Sequence, residues 1–390
     1  MKKLLAILLL LCLTASSASA VTYQTPDGRN VILGVGGSFA YARDTEGVLR
    51  VWGDNQFGQL GKGHLRQSFD VMEFKTKNPD LDVSGLRDIV TASDYSYMWM
   101  EDNTLWGAGN NSYLPLTARS GSYSTHVKIK LPDCTPVAMA TGFGHAMLLT
   151  AEGRVYAWGR NSEYQVGNGK RGHVQEPFLL PLENITQIAC GGKFSLALDK
   201  DGQLWGWGDN EHHNLLPDTT AHQKTPVKLD TGDIDIAYID ACGGSIVLLD
   251  TAGTLWTWGR NDFHQCGYDT RGKDVKTPQA VPLPLPVTYV AAYSSQTYAI
   301  LSDGSLWSWG NNSYGQLGQG FRSSSTEGVL PGKAWDSGVV LVQGGSLFCI
   351  AMLEDGTLLS AGISKFGQLG EGGSKSKYAL LPNGMDLIVD

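Results

Sequence analysis

Apolar residues in this chain fall in short runs broken by glycine and aspartate, and no stretch carries the 3.6-residue stripe of a core-facing helix. The segment around residue 200 shows the pattern most clearly. Ile188-Ala189-Cys190 is apolar and is broken by Gly191-Gly192; Phe194-Ser195-Leu196-Ala197-Leu198 follows. Asp199-Lys200-Asp201-Gly202 then reads as a tight turn, and Gln203-Leu204-Trp205-Gly206-Trp207-Gly208 closes the unit. Two such runs about an Asp-Gly turn predict a β-hairpin. The turn recurs at Asp102-Asn103, Glu152-Gly153, Ala252-Gly253, Asp303-Gly304 and Asp355-Gly356. Asn or Gly in that column fits a backbone position that requires positive φ.

The hairpin is one part of a longer repeat. Its closing glycine returns at Gly53, Gly109, Gly159, Gly208, Gly259, Gly310 and Gly362, with gaps of 56, 50, 49, 51, 51 and 52 residues. A period that regular means one supersecondary unit repeated seven times. Columns shared by most copies are therefore read as packing, and function is sought where the copies differ. Trp205/Trp207, Trp256/Trp258 and Trp307/Trp309 alternate at a spacing of two, which puts both rings on one face of a strand. With Trp52, Trp106 and Trp158 they are expected to fill the gaps between neighbouring sheets. The prediction is an all-β ring of seven sheets with four-stranded units, most edges hidden by closure. Asn30-Val31-Ile32-Leu33 and Asp386-Leu387-Ile388-Val389 resemble the runs that open other units. The C-terminal strand is accordingly expected to join the first blade and latch the ring.

Residues 1–20 read differently. Lys2 and Lys3, an apolar run from Leu4 to Leu13 and the small Ala18-Ser19-Ala20 form a secretory signal peptide with cleavage expected after Ala20. Leu11 ahead of Cys12 disfavours a lipoprotein site. Residues 21–390 are expected to be one propeller, monomeric, secreted or extracytoplasmic, without membrane insertion. Loss of Lys2 and Lys3 from 30 basic residues leaves 28 against 38 acidic ones, a formal charge of −10. That balance disfavours nucleic acid as a partner. The five cysteines beyond Cys12 (Cys134, Cys190, Cys242, Cys266 and Cys349) have no CxxC or Cys/His spacing that suggests a metal. Cys190 and Cys242 share a column, and buried thiols are the better reading there than a bridge.

Trp309-Gly310-Asn311-Asn312-Ser313-Tyr314-Gly315-Gln316-Leu317-Gly318 resembles the signature of the RCC1 (regulator of chromosome condensation) repeat. Ala189-Cys190-Gly191-Gly192 and Gly142-Phe143-Gly144-His145 resemble its other half. The resemblance covers nearly all of 31–390 and implies a seven-bladed RCC1-like β-propeller, here read as a secreted bacterial member. It departs at Leu114-Pro115-Leu116-Thr117 and Ala108, at His213-Asn214-Leu215-Leu216, and at Ala361 and Ser364. Asn55/Gln59, Asn161/Gln165, Asn261/Gln265 and Asn312/Gln316 are read as caps for backbone groups in buried turns, not as a catalytic ring.

No HExxH, GxSxG, P-loop or EF-hand pattern is present. Gly34-Val35-Gly36-Gly37 precedes a strand and does not read as a phosphate cradle. Asp230, Asp233 and Asp235 read as a solvated turn. His145 stands in a column otherwise held by Phe39, Tyr95 and Phe194, and His212 and His213 replace turn residues; none has a carboxylate or serine partner nearby in sequence. No catalytic residue, cofactor or metal is expected. A rigid ring with dissimilar loops suits a binding scaffold. The column ahead of the aromatic one varies: Ser38, Asp94, Gly144, Lys193, Gly244, Ser295 and Leu347 are expected near the axis on one face. The connections 63–79, 117–134 and 320–338 vary too, the last carrying Phe321, Arg322 and Trp335. Partner binding is assigned to Ser38, Asp94, Lys193, Ser295, Leu347, Phe321, Arg322 and Trp335.

The leading expectation is a secreted, non-enzymatic protein-binding scaffold, a role for which the resemblance supplies precedents. Secreted bacterial relatives include an inhibitor that caps a β-lactamase active site, and the eukaryotic founder binds chromatin and promotes nucleotide exchange on a small GTPase. Export and acidity disfavour the founder's roles. A glycan-binding surface protein ranks second, weakened because Trp335 and Phe321 lack counterparts in other repeats. An enzyme assembled across the central channel ranks third; its acid and base would be Asp94 and Lys193.

Overall fold

The computed structural model describes residues 21–389 apart from Leu114 and Ala118. The expected signal peptide lies outside the described residues. Seven antiparallel sheets follow one another along the chain. Blade four is representative, with strands Ile185–Cys190, Phe194–Asp199, Leu204–Gly208 and Gln223–Lys228 in order from the axis outward. No α-helix appears among the described residues, only one 3₁₀ turn at Val83–Gly85.

The repeat columns have direct physical causes. The seven signature glycines all have φ between +96° and +112°. A Cβ at Gly208 would lie 2.6 Å from the Lys193 carbonyl oxygen, and at Gly310 2.2 Å from that of Ser295. The next residue's N–H donates to that same carbonyl, as in Asp209 to Lys193 (3.0 Å) and Asn311 to Ser295 (2.9 Å). The hairpin turns hold Asn103, Gly153, Gly202, Gly253, Gly304 and Gly356 at positive φ, as the sequence requires. Asp199 and Asp250 brace two of these turns by accepting from backbone N–H groups two and four residues on.

Trp52, Trp158, Trp207, Trp258 and Trp309 are buried between sheets. Each indole Nε1 donates to a carbonyl in the signature turn of the preceding blade. Trp207 reaches Gln165 (2.9 Å), Trp258 reaches Asn214 (2.8 Å) and Trp309 reaches Gln265 (3.0 Å). The Asn and Gln of the signature are caps. Asn161 Oδ1 accepts from Val166 N at 3.0 Å and Gln165 Oε1 from Glu163 N at 2.8 Å, and the other copies repeat this. All five cysteines in the described residues are free thiols.

Closure differs from the expectation. The C-terminal strand Lys377–Asp386 pairs with Thr357–Gly362 inside the seventh sheet, so it does not enter the first blade. The first blade instead gains a fifth strand of its own, Val21–Gln24, antiparallel to Asn30–Val35. Every sheet is built from consecutive strands, so the tail completes its own sheet and takes no place in the first. The ring closes by packing and bonds across the seam. Trp52 Nε1 donates to the Gln368 carbonyl (3.0 Å), Val35 N to Gln343 Oε1 (2.9 Å) and Ser346 N to the Gly37 carbonyl (2.9 Å). Thr45 N takes the Leu387 carbonyl at 2.9 Å, and Val389 N reaches Thr45 Oγ1 at the same distance. One hydrophobic cluster joins Val31, Leu33 and Trp52 to Leu341, Ile350 and Leu387.

Candidate binding face

The turns between inner and second strands crowd the axis. Gly37 N donates to Ala92 and Ser93 carbonyls, Phe143 N to Gly192, and Gly192 N to Gly243, so backbone bonds pass from blade to blade. The void they leave at the axis is only about 20 Å³, room for about one water. The variable column Ser38, Asp94, Lys193, Ser295 and Leu347 sits immediately after these turns, each residue half-buried on the same face. Its carbonyls are the ones that receive the N–H following each signature glycine, which fixes the backbone and leaves the side chains free to vary.

The loop candidates divide. Phe321 is exposed on the axial-turn face, its carbonyl held by Asn312 Nδ2 (2.9 Å). Arg322 lies over the Tyr378 ring at 5.7 Å. Trp335 ends the outer strand Gly328–Trp335, paired with Leu306 at the hairpin-turn end of blade six. It is on the opposite face, half-buried against the core of blades six and seven. The eight candidates thus do not form one surface.

A feature missed in the sequence joins this face. The third residue after each signature glycine's neighbour is Phe57, Tyr113, Glu163, His212, Phe263, Tyr314 and Phe366. Phe57, Tyr113 and Tyr314 are 38%, 37% and 42% exposed, and Phe143 nearer the axis is 39% exposed. A glutamine cap fixes the turn in four of these copies, while Tyr113 lacks it because Pro115 stands in the glutamine position. The glutamine that binds the backbone N–H of Phe57 (2.9 Å), Phe263 (2.8 Å), Tyr314 (2.9 Å) and Phe366 (2.8 Å) holds the turn so that the ring points away from the core. The signal lay in the repeat itself, one column inside a motif read as packing.

Between blades two and three these elements enclose a pocket of about 160 Å³, lined by Asp94, Asn110, Tyr113, Phe143, Arg160 and Ser346 among others. Asn110 Nδ2 donates to Asp94 Oδ2 at 2.6 Å. Burial raises the Asp94 carboxyl above its ordinary range despite that bond. Arg160 lies over Tyr113 at 4.8 Å, and its Nε donates to Ser162 Oγ at 3.0 Å. A volume below the roughly 300–1,000 Å³ of small-molecule sites suits one protruding side chain. No ion pair joins Asp94 to Lys193 among the described residues.

His145 does acquire a serine partner in space. Its Nε2 lies 3.0 Å from Ser195 Oγ, and both residues are fully buried. The Ser195 hydroxyl donates to the Gln165 carbonyl (2.8 Å), so it accepts from the imidazole N–H. Desolvation lowers the imidazole to about 3. A base buried this far, with the serine proton directed elsewhere, serves blade packing. On the opposite face a wider cleft of about 600 Å³ is lined by Asp230, Asp233, Asp235, Asp250 and Trp256. Gly232 N donates to Asp230 and Thr251 Oγ1 to Asp235, bonds of an acidic surface turn.

The sequence profile of the RCC1-like domain matches residues 125–387. RCC1 domain-containing protein RUG3, mitochondrial, of Arabidopsis thaliana is 31% identical over 246 residues, covering 60% of this chain and 55% of that protein. E3 ubiquitin-protein ligase HERC2 of Mus musculus is 27% identical over 352 residues, 84% of this chain but 7% of the ligase. The chain thus spans about half of one relative and a small part of the other. Ultraviolet-B receptor UVR8 of Arabidopsis thaliana is 28% identical over 384 residues, 92% of this chain and 83% of the receptor. Among solved structures, Prp20p of Saccharomyces cerevisiae superposes with a TM-score of 0.71 at 23% identity, with 82% of each chain covered, a likeness of fold.

Proposed function

We propose that this chain, which belongs to the RCC1-like domain family, is a non-catalytic scaffold that binds a partner protein through the face bearing the axial turns and the signature aromatics. The observation that carries this reading is the combination on one face of outward-held aromatic rings with the half-buried variable column beside the axis. Aromatic residues and arginine are the side chains most often found at binding hot spots. The Asp94 pocket has the size of a receptacle for one partner side chain. Prp20p, whose structure is described together with its binding to Gsp1p and histones, and which has been crystallised bound to Kap60, offers a precedent for partner binding by this fold. An envelope or extracellular setting belongs to the proposal and rests on the signal-peptide pattern of residues 1–20. The relatives named above come from a plant and a mammal and lend a bacterial origin no support.

Glycan binding is the second reading, and one observation favours it: Phe57, Tyr113 and Tyr314 are equivalent exposed rings in different blades, suited to stacking on sugars. The test is capture from secreted and envelope fractions with tagged wild type, Phe143→Asp and Trp335→Ala. One stoichiometric protein retained by wild type and Trp335→Ala but lost with Phe143→Asp supports the proposal. Polysaccharide in its place moves the second reading ahead. A protein lost only with Trp335→Ala puts the interface on the wrong face.

A further inference from the structure

Asp209, Glu211 and His222, all from the connection between two strands of blade four, meet Glu163 where the signature turns of blades three and four adjoin. His222 stands between two carboxylates, its Nε2 3.1 Å from Glu163 Oε2 and its Nδ1 3.2 Å from Asp209 Oδ1. Glu211 joins them. One ligand atom each from Asp209, Glu211 and His222 lies within 4.8 Å of the other two.

A neutral imidazole has one N–H, so it can donate to only one of two flanking carboxylates. The other ring nitrogen then turns a lone pair toward an anionic oxygen. The Nδ1 atom is in that position here, buried from solvent and without a hydrogen bond. The local charge is unbalanced as well. Glu163, Asp209 and Glu211 are three carboxylates, and the cation ion-paired within the group is Arg171, 3.6 Å from Glu163.

We propose that Asp209, Glu211 and His222 Nδ1 bind a divalent transition metal of the zinc class, with Glu163 accepting the Nε2 hydrogen. The carboxylate–imidazole–metal order is the usual way a ligating histidine has its tautomer fixed. An imidazole with two carboxylates is a mixed nitrogen and oxygen set suited to Zn²⁺ or Mn²⁺, whereas Ca²⁺ takes oxygen ligands. Backbone bonding organises the oxygen donors, because Glu211 N donates to Asp209 Oδ1 at 3.0 Å and Gln165 holds Glu163 N at 2.8 Å. Glu211 is exposed and supplies the movement needed to close from 4.8 Å to coordinating separations. The bound ion would pin the connection between the third and outer strands of blade four, and would hold His222 against Glu163 of blade three. The inference does not depend on what partner that face binds.

The experiment is calorimetric titration of chelator-treated protein with Zn²⁺, in parallel with Mn²⁺ and Ca²⁺. The expected result is one Zn²⁺ per chain, a melting temperature that rises with Zn²⁺ concentration, and no response to Ca²⁺. Affinity should fall at least tenfold in His222→Ala and in Glu211→Gln, and about 10- to 100-fold in Glu163→Gln, as for lost outer-sphere partners. His212→Ala is the control, since that histidine lies by Asp274 (3.3 Å) outside the group. Glu211→Gln alters an exposed side chain, so it decides the matter if His222→Ala does not fold. Absence of stoichiometric Zn²⁺ binding overturns the proposal, as does binding that Glu211→Gln leaves unchanged or that His212→Ala abolishes.

Discussion

Replacing Trp52 by phenylalanine tests the closure described above. Trp52 is fully buried at the seam between the first and last blades, and its Nε1 donates to Gln368 across it at 3.0 Å. The substitution removes two ring carbons, worth about 1.5 kcal/mol at roughly 0.8 kcal/mol each. It also strands a buried carbonyl, at about 1–3 kcal/mol. A loss of about 3–4 kcal/mol is therefore expected. Trp207→Phe removes the same chemistry between blades three and four, where Trp207 donates to Gln165 at 2.9 Å. The two should cost about the same in urea denaturation but differ in place. Blades three and four stay joined by the chain, whereas no strand crosses the seam. Hydrogen exchange should accelerate about a hundredfold in the inner strands of blades one and seven in Trp52→Phe, matching a local loss of about 3 kcal/mol. Trp207→Phe should leave that seam protected. Equal exchange at both seams in the two variants, or a Trp52→Phe cost below about 1 kcal/mol, would refute the view that these contacts hold the ring shut.

Other expectations concern protons, backbone and thiols. His145 has a folded pKa lowered by burial to about 3, so the unfolded chain binds its proton first and this residue's contribution to stability is lost as pH falls below about 6.5. Between pH 7 and pH 5 wild type should lose about 2 kcal/mol more than His145→Phe in chemical denaturation, a difference in which the other titrating groups cancel; parallel pH profiles would show the imidazole is not buried neutral. Gly208→Ala should cost well over 2 kcal/mol or abolish folding, because φ is +102° and a carbonyl lies 2.6 Å from the new Cβ. Gly202→Ala, at φ +81° with open space around it, should cost about 1 kcal/mol; similar melting shifts would contradict the assigned role of the signature column. In native protein one thiol, half-buried Cys134, should react quickly with a disulfide reagent, the four buried ones only on unfolding; two or more fast thiols would speak against the packing.

Much of the fold was legible because a repeat states its own rules several times. The glycine at a tight φ, the indole facing a neighbouring sheet and the Asn/Gln caps each recur, so chance placement is averaged away. Closure was not legible. Asp386-Leu387-Ile388-Val389 has the composition of an opening strand, yet Lys377–Asp386 already completes the last sheet, and Leu387 and Val389 bond across the seam to Thr45 and Arg29 without pairing as a strand. The candidate face was read in part. Chain position placed the variable column beside the axis but could not show that Trp335 sits a strand's length away from Phe321, on the far side. The ring exposed at Phe57 and Tyr314 lay in a motif whose regularity pointed to packing, although a turn fixed by buried caps can display what its next residue carries. The group at His222 matches no spacing motif, since Asp209, Glu211 and His222 are brought together by the fold of one loop and Glu163 joins them from the neighbouring blade.

Building every sheet from consecutive strands bears on how such a chain can be rearranged. The N-terminal strand Val21–Gln24 and the tail at Val389 both rest on the first blade, with Arg29 bonded to the Val389 carbonyl. Joining these ends and reopening the chain between any other pair of blades would leave all seven sheets whole, because a cut there severs only a loop. Circular permutation, and gain or loss of a whole blade by duplication or deletion at the level of the gene, are thus steps this architecture can take without passing through a half-built sheet.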